Sequence, residues 1–415
     1  HSNLRRQRQM CIRDRFFIAP LVSFLDIRIP TSTQQQVNLS RRLAIFSLSN
    51  GKTLLWTIPL ICSLLILLIP LNKLEMNPTQ MYSEKYTSFG PDVLWLDKKL
   101  GASFPISFKA TSDNGSVSNP RFLEGLDNFS MWLEEQKEVT HVTSLARTMK
   151  SLNKSMHGDD LKMKVIPEDQ ELSSQYLFFY EMSLPMGLDL NTSISQDRGS
   201  TRIAATLREM TSKEYLIFDE KVTKYLRENN LESTISKPAG FRVIFVYLME
   251  AIVNSLLVGV TIGLALIITV IGFFFRSASF GFLSSFPNIL PIVSAFGVWA
   301  IIDGQIDFMV AVGMGSTLGI IVDFTVHLLS KYDLARQELK KSPEDAVLFA
   351  FETVGFALIA MTVILTLGFS VLHLNSFLPM HNFAQFSILA FVFALIIDFF
   401  LFPNLLIRFD KRKFD

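Results

Sequence analysis

Read only for apolar and polar positions, the chain alternates long apolar runs with one extended mixed region. A bilayer's hydrocarbon core, about 30 Å thick, needs about 20 helical residues. Thr53–Leu71 is the first complete run of that length, and further spans are predicted at Ile244–Phe275, Phe280–Ile302, Phe308–Ser330, Gly355–Leu374 and Phe383–Ile407. Phe16–Leu25 is too short to cross and reads as the end of a truncated helix. The first of the later spans is longer than the bilayer, so its start projects beyond it as a continuous helix. Leu334–Phe351 has an amphipathic pattern that suits a helix lying along the inner surface.

Residues 72–240 lack such runs and are long enough to fold outside the membrane. Period-two alternation predicts strands at Phe104–Ala110, Val139–Leu145, Thr201–Leu207 and Glu232–Ser236. Helical patterns fill Pro120–Lys137 and Ser212–Asn229, the second opened by Thr211 or Ser212 as cap. Two β-α-β units follow, giving a small α+β domain with helices on one face of the sheet.

Composition agrees with a membrane protein: 49% of the 415 residues are hydrophobic, 37 are Phe, and the mean hydropathy is +0.33. Basic residues sort to one side. Arg41, Arg42 and Lys52, then Arg276, then Lys331, Arg336, Lys340 and Lys341, then Arg408, Lys411, Arg412 and Lys413 all fall on the same side of the spans, while the acidic linker Asp303–Asp307 falls on the other. The positive-inside rule then sets a cytoplasmic linker at 26–52, an extracytoplasmic domain at 72–240, a five-helix block at 241–407 and a cytoplasmic tail at 408–415, with both ends cytoplasmic.

Several classes are excluded. A net charge of +1 without a basic patch interleaved with aromatics gives no support to a nucleic-acid partner. The two cysteines, Cys11 and Cys62, make no disulfide framework or metal site. His373 and His381 flank an outer loop with no acid or cysteine at ligand spacing. No phosphate loop, nucleophile elbow or zinc-binding helix is present, so neither an enzyme nor a cofactor is expected. Asn114, Asn128, Asn153 and Asn191 open Asn-x-Ser/Thr triplets, which suit a secreted domain but also arise by chance. The chain opens on His1, and residues 1–15 resemble translated sequencing-adapter DNA, with a basic cytoplasmic tail as the alternative; the expectation is a fragment.

The candidate chemistry lies in the spans. Asp323 is the one acid in Met309–Tyr332. A carboxylate at membrane depth costs about 2.5 to 3.5 kcal/mol on insertion scales, so such an acid is a functional candidate by default. Gly319 and Gly315 precede it by one and two turns, a small-residue face that lets a neighbouring helix approach, and His327 continues that face. Asp323 is read either as a proton carrier or as a structural acid hydrogen-bonded within the bundle. Asp398 is expected at a similar depth in its own span, coupled to Asp323 or bonded locally. Thr362 is placed to hydrogen-bond either acid, or its own backbone. Pro287, Asn288 and Pro291 break a helix inside the membrane, as a hinge or a structural kink.

These residues resemble the resistance-nodulation-division (RND) superfamily, in its MmpL-like and hopanoid-exporter-like branch related to Patched. The resemblance rests on Phe275-Arg276-Ser277 at a span exit, Pro287-Asn288-Ile289-Leu290-Pro291, Gly319 to Asp323 with His327, Ser342 to Ala346, Gly355, Thr362, Gly368-Phe369, Ser376-Phe377 and Asp398. It covers residues 16–413, and the order and spacing of the motifs are what make it specific.

The resemblance implies the C-terminal half of an exporter in the cell inner membrane, driven by the proton-motive force and moving a hydrophobic or lipid-like substrate. The fold class implied is a polytopic α-helical membrane protein with six full transmembrane helices and an extracytoplasmic α+β porter-like domain. The partner implied is a missing N-terminal half whose fourth span supplies residues pairing with Asp323. The family often has Tyr or a second Asp directly after that acid, where this sequence has Phe324. Alternatives are a Patched-like sterol-sensing receptor, or a half-size accessory protein of protein export. Assembly as a homo-oligomer stays open.

Overall fold

The computed structural model describes residues 34–74, 81, 89–100, 105–185, 189–208 and 210–410. The segments 1–15 and 16–25 and the basic positions Lys411, Arg412 and Lys413 lie outside the described residues.

Most of the stretch expected as a linker is a helix. In α1 (Gln34–Ser49), Ser40, Ala44 and Ser47 recur at helical spacing and are fully buried against the later helices. The chain turns at Asn50 into α2 (Gly51–Ile66), which a 3₁₀ turn extends to Leu71. The two-residue strand β1 (Lys73–Leu74) follows, then α3 (Phe89–Leu100).

The mixed region contains β2 (Pro105–Thr111), α4 (Pro120–Glu135), β3 (Val139–Thr143), α5 (Leu145–Met156), α6 (Gln170–Ser183), β4 (Ser200–Leu207) and α7 (Ser212–Glu228). The sheet has the order β2-β4-β3 with both pairings antiparallel, setting Phe108 opposite Ile203 and Val142 opposite Ala205. Alternation puts Ile106, Phe108 and Ala110 on the same buried side as Ile203, Ala205 and Leu207, packed with Leu126, Phe129 and Leu133 of α4 and Phe218 and Val222 of α7. Thr211 caps α7 in a reciprocal capping box with Glu214.

The expected strand Glu232–Ser236 is not a full strand. It meets β2 only through isolated bridges, Ala110 to Ile235 and Ser107 to Ala239, because Pro238 has no N–H to carry the ladder on.

Helix α8 (Phe241–Phe274) has 34 residues, about 51 Å at 1.5 Å per residue. Its first turns are anchored in the α+β core by Val243 and Val246, and Tyr247 donates to Asp219 of α7 at 2.5 Å. Further along, Leu257, Val258, Ile262, Leu266, Val270 and Phe273 are exposed, as apolar groups facing lipid would be.

After α8 come α9 (Ala278–Leu283), α10 (Ser285–Ile302), strand β5 (Gln305–Ile306), which pairs in parallel with β1, and α11 (Phe308–Gln337). The expected surface helix at Leu334–Phe351 is instead two pieces. Its start completes α11, and its end is α12 (Pro343–Ala350), which passes through a π turn at Phe351–Gly355 into α13 (Phe356–Ser370). Ser342 caps α12 by accepting from Asp345 N–H at 3.1 Å. Ala346, Val347 and Ala350 are buried in the bundle, which holds this helix there rather than along a surface. The last element is α14 (Leu378–Ile396), a second π turn at Ile397–Leu401, and α15 (Phe402–Phe409).

Among the described residues, six helices are long and apolar enough to cross a membrane. The chain is a polytopic α-helical membrane protein.

Candidate functional site

Helix α11 organises the polar groups of the bundle. Asp307 caps it, accepting from Val310 N–H at 2.8 Å and from Asn382 Nδ2 at 2.9 Å. Burial pushes the Asp307 carboxyl above its ordinary range, against the pull of these hydrogen bonds.

Along the helix, the two sides differ. Val312, Ser316, Gly319 and Asp323 form one exposed face. The Asp323 side chain is 52% exposed, and His327 Nε2 stands 3.4 Å from its Oδ1. The expected close approach at the small-residue face does not occur among the described residues. A Cβ on Gly319 would meet nothing within 4 Å, and one on Gly315 would only touch Leu256 Cδ2 at 3.8 Å. Helices meet closely at other glycines. A Cβ on Gly281 would lie 2.7 Å from Ile268 O and 2.9 Å from Gly272 Cα, and one on Gly297 would collide with the Leu65 backbone.

The opposite side of α11 is packed. Thr325 is fully buried and its hydroxyl lies 3.2 Å from Asp398 Oδ1 and 3.3 Å from Asn288 Oδ1. Asn288 Nδ2 donates to Ser284 O at 2.6 Å. Asp398 is fully buried in the second π turn, and its Oδ2 has no hydrogen-bond partner among the described residues.

The two acids therefore do not meet. Thr325 follows Asp323 by two residues, about 3 Å along the axis and about 200° around it. Asp398 lies at nearly the same level, as its sequence position implied, but on the other side of the helix. Thr362 bonds its own backbone, donating to Leu358 O at 3.0 Å, and so takes the second of its two expected roles.

The break around Pro287, Asn288 and Pro291 falls slightly earlier than the motif. The helix is interrupted at Ser284, between α9 and α10, while Pro291 sits inside α10. Pro287 cannot donate to the carbonyl four residues back, that of Leu283, and crowds it. Ser284 and Ser285 turn their hydroxyls to Gly281 O and Phe282 O at 2.6 Å each, satisfying carbonyls near the break.

Sequence reasoning missed a third group. At the far end of α11, Arg336 Nε and Tyr332 Oη both donate to Asp410 Oδ2 at 2.9 Å, with the Arg336 and Asp410 side chains 6% and 1% exposed. Asp410 falls in the stretch expected as a cytoplasmic tail. Thr325 was missed as well, because a hydroxyl inside an apolar span commonly bonds its own backbone, as Thr362 does, and so carries no signal of a partner on another helix.

No family model matches the chain. A protein of Methanocaldococcus jannaschii, named only as a "putative membrane protein", is 28% identical over 151 residues, which is 35% of this chain and 38% of that protein. The match thus spans well under half of that relative's length, and its name supports the membrane class alone.

Proposed function

We propose that this chain is one half of an RND-type exporter that uses inward proton flow to move a hydrophobic or lipid-like substrate out of the inner membrane. The observation that carries this reading is the polar face of α11 that stands exposed among the described residues. Ser316, Gly319, Asp323 and His327 stand in line on a span whose other sides are packed. A carboxylate left towards lipid is unfavourable by several kcal/mol, so this face calls for a covering partner. A second half with its own acid or tyrosine at the same level is the partner the RND reading provides. Asp323 is then the proton carrier, and His327, one turn away, is its exchange partner.

In this reading the α+β domain is extracytoplasmic and porter-like, and both chain ends are cytoplasmic. The rigid link between them is α8, anchored in the domain by Val243, Val246 and the Tyr247 to Asp219 hydrogen bond. One charge moving through about 100 mV releases about 2.3 kcal/mol, enough to bias a rocking of the helices that α8 transmits.

The test compares envelope lipids in a deletion strain complemented with the full gene or with its Asp323→Asn form. Lost export with normal protein levels is expected. Full rescue by the Asn form would sink the proton-carrier assignment.

A further inference from the structure

With Asp398 ionised, the polar cluster on the packed side of α11 has too few hydrogens for its oxygens. Asp398 Oδ1, Thr325 Oγ1 and Asn288 Oδ1 form a chain with contacts of 3.2 and 3.3 Å. An ionised Asp398 leaves only the Thr325 hydrogen to serve both contacts, since a carboxylate and an amide oxygen only accept. If that hydrogen goes to Asp398, the Thr325 and Asn288 oxygens face each other with nothing between them. The Asn288 amide group is already turned away to Ser284 O. Asp398 Oδ2, also buried, has no partner among the described residues. The ionised cluster calls for one added positive charge, supplied either by a proton on Asp398 or by a bound cation.

Its spacing selects the kind of charge. Hydroxyl hydrogen bonds centre on about 2.7 to 2.8 Å, and both contacts here are longer. Oxygens held about 2.4 Å from a hard cation, at right angles to one another, lie about 3.4 Å apart, close to the observed 3.2 and 3.3 Å. A larger cation such as potassium needs wider spacing. A divalent ion would leave uncompensated charge beside a single carboxylate in an apolar interior.

The backbone around the cluster also suits a cation. Ser284 marks the break between α9 and α10, and Asp398 sits in a π turn. Pro287 and Pro403 deprive the carbonyls of Leu283 and Phe399, neighbours of Ser284 and Asp398 in the chain, of their usual helical donors. Discontinuous helices next to a carboxylate are a setting in which membrane proteins hold dehydrated ions.

We propose that Asp398, Thr325 and Asn288 form a buried sodium site inside the helix block, on the opposite side of α11 from Asp323. Its function is to lock α10, α11 and the π turn after α14 together when the ion is bound. Binding is measured without transport, so the site stands or falls apart from the export reading.

The test is thermal unfolding of the full chain in detergent at fixed pH and ionic strength, in sodium, potassium or N-methylglucamine chloride. Sodium is expected to raise the melting temperature of the unaltered chain by about 3 °C or more with a saturable dependence, and potassium is not. Asp398→Asn should abolish the response, Thr325→Val should raise the half-saturating concentration at least tenfold, and Thr325→Ser should keep it. No sodium-specific shift, an equal shift in potassium, or stabilisation that follows pH alone would overturn the site. If Asp398→Asn does not fold, an unchanged sodium midpoint in Thr325→Val does the same.

Discussion

Asp323 and Thr325 are two residues apart on one helix and face opposite ways. The Asp323 side chain is 52% exposed beside His327, while Thr325 is fully buried against Asp398 and Asn288. A single helix thus separates an outward polar face from an inward one at nearly the same level. In the proposed exporter the outward face meets the second half, and the inward cluster stays within this half.

The glycines distinguish packed from open faces. Gly281→Ala places a methyl group against Ile268 O and Gly272 Cα and should destabilise the chain by about 1–3 kcal/mol. Gly319→Ala meets nothing within 4 Å and should raise the stability of this chain by about 0.5–1 kcal/mol through helix propensity. Chemical unfolding in detergent separates the two, and equal losses would mean that α11 is covered at Gly319.

Arg336 and Asp410 form a buried pair joined by Tyr332. Arg336→Met removes one charge and leaves the other behind, which should cost about 3–5 kcal/mol. Adding Asp410→Asn should recover part of that loss in the same unfolding assay. A loss as small as that of a surface pair, under about 1 kcal/mol, would show that the pair is solvated.

In the α+β domain, burial raises the Glu138 carboxyl, but the hydrogen bond of Lys221, 3.0 Å away, together with a backbone hydrogen bond and the charges of Lys221 and Lys137, outweighs it, so the group lies below its ordinary value of 4.5. A depressed acid stabilises the fold above its unfolded-state value and loses that contribution as pH falls through its folded-state value. Glu138→Gln should therefore be less stable than the parent at pH 7, by about 0.5–1 kcal/mol given the half-exposed Lys221. The gap should close as the pH drops below 4.5. Urea titrations of both forms across this range measure it, and a gap independent of pH would contradict the assignment.

Local chemistry in the sequence identified the spans, the Thr211 cap and the helices α4 and α7 of the mixed region, because apolar run length and capping residues act over a few positions, but it missed α3, α5 and α6. Which helix faces are covered was not legible. Gly315 and Gly319 have the spacing of a packing face, yet the close contacts fall at Gly281 and Gly297, whose neighbours Ile268 and Leu65 are fixed by tertiary contact. The partner of Asp398 is Thr325, 73 residues away, and the adjacent Asp323 drew attention to the other face. The helix at Pro343 was hidden because a polar opening turn, capped by Ser342, resembles a surface segment until Ala346, Val347 and Ala350 are seen buried.

The most direct test of the export reading is proton movement by the full-length protein reconstituted in vesicles with a pH-reporting dye inside, under an imposed membrane potential. The expected result is protein-dependent proton flux that falls at least tenfold in Asp323→Asn while the melting temperature is unchanged. Flux at the parental rate in Asp323→Asn would contradict the role assigned to the Asp323 face of α11.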